Sequence, residues 1–212
     1  ETTRKRIKKF YGRDAKIIYP PVELDFPTND GLKKAEVPYF LAVGRLSKYK
    51  NFDLLVETFN KVKFPLVIVG AGLEEERLKS MAGDNITFKG RAPDSEKHRL
   101  MDGCLGLINP VVDEDFGIVP VEAMAHGKPV LGHKSGGHLE TIIERETGLL
   151  FEGDTVDSLS EKLIEFDQMI KSKKFDHEKI KTHAQKYSKE RFKSELENFV
   201  REKWEEHKKS NA

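Results

Sequence analysis

From residue 39 onward, short apolar runs alternate with amphipathic ones. The runs YFLAV (39–43), PLVIV (65–69), ITFK (86–89), LGLIN (105–109), PVLG (129–132) and GLLF (148–151) have strand length. Several are apolar throughout, as in strands covered on both faces. Apolar residues at helical spacing between them predict helices at 51–62, 73–82, 94–102, 117–126 and 137–144. Asn51 and Asp94 are suited to N-caps, and Gly127 with Pro129 ends the fourth of these helices. A strict βαβα alternation implies a parallel sheet with right-handed crossovers. The expected fold class is α/β, a Rossmann-like doubly wound sheet with a helical C-terminal tail. That tail, 155–208, offers Ile164, Phe166, Ile170, Phe192, Leu196, Phe199 and Val200 for packing on the body.

The first stretch breaks the pattern. TTRKRIKKFYG (2–12) predicts a helix ending at Gly12, with Ile7, Phe10 and Tyr11 on one side. AKIIYPPVELDFP (15–27) predicts a strand at 16–19, stopped by Pro20-Pro21. TNDGLKKAEVP (28–38) is polar and breaker-rich, hence a loop or linker. A helix–strand unit with linker, residues 1–27, therefore precedes a domain spanning 28–212.

The charge balance narrows the partners. With 37 basic and 36 acidic residues the net charge is +1, without the basic excess of a nucleic-acid binder. Cys104 is the single cysteine, so no internal disulfide forms and a cytoplasmic compartment is expected. It lies in the apolar run GCLGLIN, as a small filler of a buried strand. No apolar run approaches the ~20 residues that span a bilayer. RKRIKK (4–9) reads first as a solvated helix face. A peripheral contact with an anionic membrane at its cytoplasmic face is the second reading, worth ~1 kcal/mol per cation.

In an open parallel sheet the ligand lies beyond the carboxyl ends of the strands, at the switch point, here expected beside the first and fourth strands. GRLSKYKN (44–51) follows the first and PVVDEDFG (110–117) the fourth. Arg45 and Lys50 flank a loop that opens a helix. A bidentate guanidinium, a point-charge ammonium and helix-end amides together suit a diphosphate. A solvated basic loop is the competing reading. GAG (70–72) lacks the third glycine of a dinucleotide fingerprint and reads as a tight turn. SGGHLETI (135–142) suits an anion cradle and a tight turn equally. The seven histidines show no metal-ligand spacing. His126 suits the negative end of its helix. In EDFGIVPVEAMAHGKPV (114–130), Glu114 falls just outside a helix and Glu122 just inside it.

That last segment resembles the Glu-x7-Glu signature of retaining GT-B glycosyltransferases of family four. AVGRLSKYKN resembles the family's Gly-Arg-x4-Lys phosphate loop, with Gly44, Arg45 and Lys50 at the matching positions. VGAGLEEERL, ITFKGRAPDSEKHRLM and GGHLETIIERETGLLF follow in the family's order. FYGRDAKIIYPPVE and AQKYSKERFKSELENFV are similar to mannosyltransferases of bacterial and archaeal polysaccharide or lipopolysaccharide assembly. The resemblance implies a nucleotide-sugar donor, GDP-mannose first and a UDP-sugar second, with no cofactor. It implies that Arg45 and Lys50 grip the diphosphate, that Glu122 accepts from the ribose hydroxyls and that Glu114 faces the donor sugar. It further implies that the amides of Phe116, Gly117 and Ile118 point at sugar and phosphate, and that Arg91 and Ala92 lie against the base. No metal is needed on this reading, since the cations and the helix dipole offset the diphosphate charge. The family pairs two Rossmann-like domains. Residues 1–27 would be the remnant of the first, the acceptor domain, which is otherwise missing here. The implied partners are that domain and a glycan or lipid-linked saccharide acceptor. A sugar-nucleotide epimerase or phosphorylase on the same scaffold, a non-catalytic nucleotide-binding module and a dehydrogenase domain remain alternatives.

Overall fold

The computed structural model describes residues 1–26 and 37–210. Its six strands are β1 (Phe40–Val43), β2 (Leu66–Val69), β3 (Ile86–Phe88), β4 (Leu107–Asn109), β5 (Val130–His133) and β6 (Gly148–Phe151). They form one parallel sheet in the order β3-β2-β1-β4-β5-β6. The winding direction reverses between β1 and β4, which pair at Leu41 and Leu107. The two loops singled out by sequence therefore leave neighbouring strands on the same side of the sheet. Leu41, Ile68, Leu107, Leu131 and Leu149 are fully buried, because helices cover both faces.

The helices are α1 (Thr2–Tyr11), α2 (Phe52–Val62), α3 (Glu75–Met81), α4 (Asp94–Gly103), α5 (Ile118–Ala125), α6 (His138–Thr141), α7 (Val156–Lys171), α8 (His177–Ala184) and α9 (Lys189–Ser210). Leu55 and Phe59 of α2 pack with Leu163 and Phe166 of α7 in the same core. α8 lies on α5. α1 ends as expected, with Gly12 left-handed and its N–H donating to the Lys8 carbonyl at 3.0 Å.

Several local expectations give way. Residues 16–19 form no strand: Pro20 and Pro21 lack ladder donors, and no neighbouring strand takes the segment. The segment is held by other means. The Val22 N–H donates to the Tyr187 carbonyl at 2.9 Å, and Arg191 donates to the Tyr19 carbonyl at 2.8 Å. The helix expected at 137–144 is the single turn α6, after which Ile142 is extended. Asn51 is left-handed at the start of α2 and caps with no side-chain bond. Its amide instead reaches the Pro110 carbonyl at 3.5 Å. Asp94 is the first residue inside α4, behind Pro93. Cys104 lies in the turn before β4 rather than in a strand; it is buried, and burial pushes its thiol up to about 12. The tail breaks at 172–176 and at Ser188. α9 buries none of its residues, and Ile164, Leu196 and Val200 are exposed. The linker at 28–38 and the boundary between residues 27 and 28 lie almost wholly outside the described residues.

His126 lies at the C-terminal end of α5, where the sequence puts it, and its ring is buried there. Its Nδ1 lies 2.5 Å from Asp102 and its Nε2 lies 3.0 Å from His98 Nδ1. Burial lowers the pKa of both histidines. With both rings neutral, His98 donates to His126, which donates to Asp102. Phe26 stacks on this pair, 3.9 and 4.2 Å from the two ring centroids.

Candidate functional site

The loop after β1 is shaped by glycines on its neighbour. A Cβ at Gly70 would lie 1.8 Å from the Gly44 carbonyl oxygen, and one at Gly72 would lie 2.2 Å from that of Leu46. Without side chains there, the backbones close up: the Leu46 N–H donates to Ala71 and the Glu74 N–H to Leu46, each at 3.1 Å. The turn at 70–72 thus props the basic loop from behind.

The loop before α5 is braced in the same way. Gly137 donates to the Glu114 carbonyl at 2.5 Å, and Asp113 donates to Ser135 Oγ at 2.8 Å. Added Cβ atoms at Gly136 and Gly137 would sit 2.3 Å from the Glu114 carbonyl oxygen and 2.4 Å from the Phe116 Cα. Of the two readings left open for SGGH, the glycines serve close packing against residues 113–116. Gly117 takes a φ of 90° as α5 begins, and no side chain caps that helix. Pro120 supplies no N–H in the first turn. The amides of Phe116, Gly117 and Ile118 meet no acceptor among the described residues.

Between the two loops lies a cleft of about 360 Å³. Gly44, Arg45, Lys50, Glu114, Phe116, Gly117 and Ile118 all line it. Arg45 is exposed and enters no ion pair among the described residues. Lys50 is different: its Nζ lies 2.8 Å from Glu114 Oε2, and the side chains are only 19% and 17% exposed. The family resemblance implied that these two residues meet different parts of one ligand; the fold pairs them directly. Beside them, exposed Asp115 binds Arg6 of α1 at 2.6 Å, and Arg4 pairs with Asp14. Two cations of the basic α1 face are thus already engaged.

Glu122 stands apart from this cleft, one turn into α5, facing α4. Its side chain is 11% exposed, and Oε1 accepts from Lys97 Nζ at 3.0 Å. Lys97 also lies 3.3 Å from Asp94. Glu122 Oε2 is buried and has no hydrogen-bond partner among the described residues. Burial pushes the Glu122 pKa up, and the ammonium of Lys97 opposes that rise. The sequence reading missed Lys97. One signal was available: a lysine placed on the first turn of an amphipathic helix, three residues after Asp94.

Arg91 is exposed on the β3–α4 loop and Ala92 packs on the core; neither lines the cleft. Among the described residues no group of three or more His, Cys, Asp or Glu side chains is gathered as metal ligands. No helix among them is long and apolar enough to cross a membrane.

Known proteins resemble this chain in sequence and in fold. The family model for glycosyl transferases group 1 matches residues 28–191. A Methanocaldococcus jannaschii glycosyltransferase is 29% identical over 176 residues, covering 81% of this chain and 49% of that protein. A GDP-mannose-dependent α-(1-6)-phosphatidylinositol monomannoside mannosyltransferase of Mycobacterium tuberculosis is 31% identical over 200 residues, covering 79% of this chain and 52% of that protein. The chain spans about half the length of these relatives. Among solved structures, a glycosyltransferase from Rickettsia africae superposes with a TM-score of 0.81 at 21% identity, covering 93% of this chain and 60% of that one. Sucrose-phosphate synthase from Thermosynechococcus elongatus gives 0.82 at 21% identity, covering 96% and 56%. The fold is thus a Rossmann-like unit of GT-B glycosyltransferases. With the family model matching 28–191 and the two loops meeting at the switch point, this chain belongs to the group 1 glycosyl transferases.

Proposed function

We propose that this chain is the donor-binding half of a retaining mannosyltransferase. It takes a nucleoside-diphosphate sugar, GDP-mannose first, for transfer to a glycan or lipid-linked acceptor. The observation that carries the reading is the switch-point cleft, where two cations, a carboxylate and the uncapped start of α5 converge. Relatives whose names specify GDP-mannose support the choice of donor.

In this reading the diphosphate lies between Arg45, Lys50 and the α5 amides. Negative charge grows on the departing phosphate oxygen as the anomeric C–O bond breaks, and the cations stabilise it there. Glu114 accepts from the hydroxyls of the donor sugar, and Glu122 from those of the ribose. Donor binding must open the Lys50–Glu114 pair, because the ammonium turns to phosphate and the carboxylate to sugar.

Calorimetric titration with GDP, UDP, ADP and their sugar conjugates tests this assignment. GDP and GDP-mannose should bind best. Arg45→Ala and Lys50→Ala should each weaken GDP by about 1.5–3 kcal/mol, the scale of charged hydrogen bonds. Glu114→Gln should weaken GDP-mannose more than GDP, since it frees Lys50 while replacing one of the two sugar-facing carboxylate oxygens by an amide donor. Unchanged GDP affinity in both cation variants, or equal losses for the two ligands in Glu114→Gln, would overturn the assignment.

A further inference from the structure

We infer that Lys97 is a positioning residue for nucleotide recognition: it holds the Glu122 carboxylate ionised and oriented, with acceptor capacity left for the ribose hydroxyls. This rests on the donor-site reading above and adds a residue from a different helix.

Three observations carry it. First, the pair bridges elements: Glu122 lies on α5 and Lys97 on α4, and 3.0 Å separates Nζ from Oε1. Both side chains are largely withdrawn from water, at 11% and 17% exposure. A carboxylate so withdrawn favours its neutral form unless a cation stands beside it. Second, the pairing is incomplete. One ammonium proton serves Oε1, while Oε2 takes no hydrogen bond among the described residues. A carboxylate accepts at about four lone-pair sites, so most of its capacity is unused. The 11% of the side chain left exposed admits a ligand hydroxyl, and the carboxylate must turn for Oε2 to receive one. Third, Lys97 is itself held from the other side. Asp94 lies 3.3 Å away in the first turn of the same helix. Asp94 and Lys97 are the charged groups that bear on Glu122. Held between two carboxylates, the ammonium stays in place beside Glu122.

The chemistry selected is a vicinal diol. A neutral carboxylic acid would present one acceptor and one donor. An ionised, fixed carboxylate presents acceptors only, matched to two hydroxyl donors side by side. On this view Lys97 touches no ligand; it acts through Glu122.

The test compares GDP with 2′,3′-dideoxy-GDP on the unaltered chain, Lys97→Met and Lys97→Arg. Lys97→Met should weaken GDP about tenfold, the lower end for a charged hydrogen bond, and leave the dideoxy analogue unchanged. GDP binding by Lys97→Met should also fall away at a higher pH than in the unaltered chain, because Glu122 protonates more readily without its cation. Lys97→Arg should restore both properties. Equal weakening of both ligands would make Lys97 a phosphate-binding cation and overturn the inference, as would unchanged GDP affinity. The Glu122 carboxyl midpoint, followed by NMR, should rise in Lys97→Met; a midpoint that stays put overturns the inference independently of any ligand. If neither nucleotide binds the unaltered chain, the donor-site reading fails, and the pairing of Lys97 with Glu122 is still decided by that midpoint.

Discussion

Burial decides the chemistry of His138. The ring is wholly enclosed beneath the β5–α6 turn, where Nδ1 donates to the His133 carbonyl at 3.0 Å and Nε2 meets no partner among the described residues. A second proton would have no acceptor, and desolvation lowers the pKa from 6.5 to about 4. The unfolded chain therefore binds a proton here between these two values that the folded chain refuses. Stability is complete above the unfolded value and is lost as pH falls toward 4. Each pH unit in that window costs ~1.4 kcal/mol, so about 2 kcal/mol should disappear between pH 7 and pH 5. Urea unfolding at the two pH values measures the loss, and NMR titration of the ring identifies its source. A His138 resonance titrating near its ordinary value would show that the site is open to water. His98, His126 and His183 are shifted in the same direction by burial and deepen the effect.

Between elements, glycines set the shape of the cleft. Gly137 has an ordinary backbone conformation, so its requirement is spatial: a methyl group there meets the Phe116 backbone at 2.4 Å. Backbone cannot swing aside as a long side chain can. Gly137→Ala should therefore cost about 2 kcal/mol or more and weaken donor binding by displacing residues 114–117. Calorimetric unfolding and GDP titration on the same sample measure both. Gly90→Ala is the control for turn strain alone, because its Cβ would meet nothing within 4 Å and only its φ of 65° is unfavourable. These roles show what could be read in advance. The strands were legible because runs such as PLVIV are apolar on both faces, and their alternation with helices led to the switch point and hence to Arg45, Lys50 and Glu114. The packing of SGGH on EDFG was not legible, since glycine spacing does not distinguish a neighbour's backbone from an anion. Lys97 was hidden because a helix pattern says which face is apolar but not which residue of another helix it meets. KIIY had the composition of a strand; what it lacked was a partner, and a partner is a property of the whole sheet.

On the scale of the molecule, one Rossmann-like unit carries two helices with exposed apolar groups. Leu196, Val200 and Trp204 line one stripe of α9 at 40%, 58% and 58% exposure, and Phe10 and Tyr11 stand out from α1. Transfer requires an acceptor hydroxyl held against the anomeric carbon, and that positioning supplies a large share of the rate. On the donor-half reading proposed above, the chain should bind donor without transferring sugar at enzymatic rates. It should also self-associate through the apolar stripe. A transfer assay with purified chain, together with sedimentation of Trp204→Ser against the unaltered protein, checks both expectations. Robust turnover by the isolated chain would mean that the acceptor wall is already present.

On the donor-site reading, the Lys50–Glu114 pair should also govern how fast a donor is captured. At a distance the chain offers almost no attraction to an anion, since its net charge is +1. Close to the cleft, one of the two lysine and arginine charges is already neutralised by a carboxylate 2.8 Å away. Long-range steering is what lifts association toward its diffusional ceiling and what salt suppresses. Here there is little of it to suppress, so the association rate for GDP-mannose should change only slightly with ionic strength. Glu114→Gln exposes the lysine charge, and in that variant the rate should rise at low salt and fall clearly as salt is added. Stopped-flow measurements across a salt series would show whether the resting protein trades speed of encounter for a site that keeps one of its two cationic charges masked until its ligand arrives.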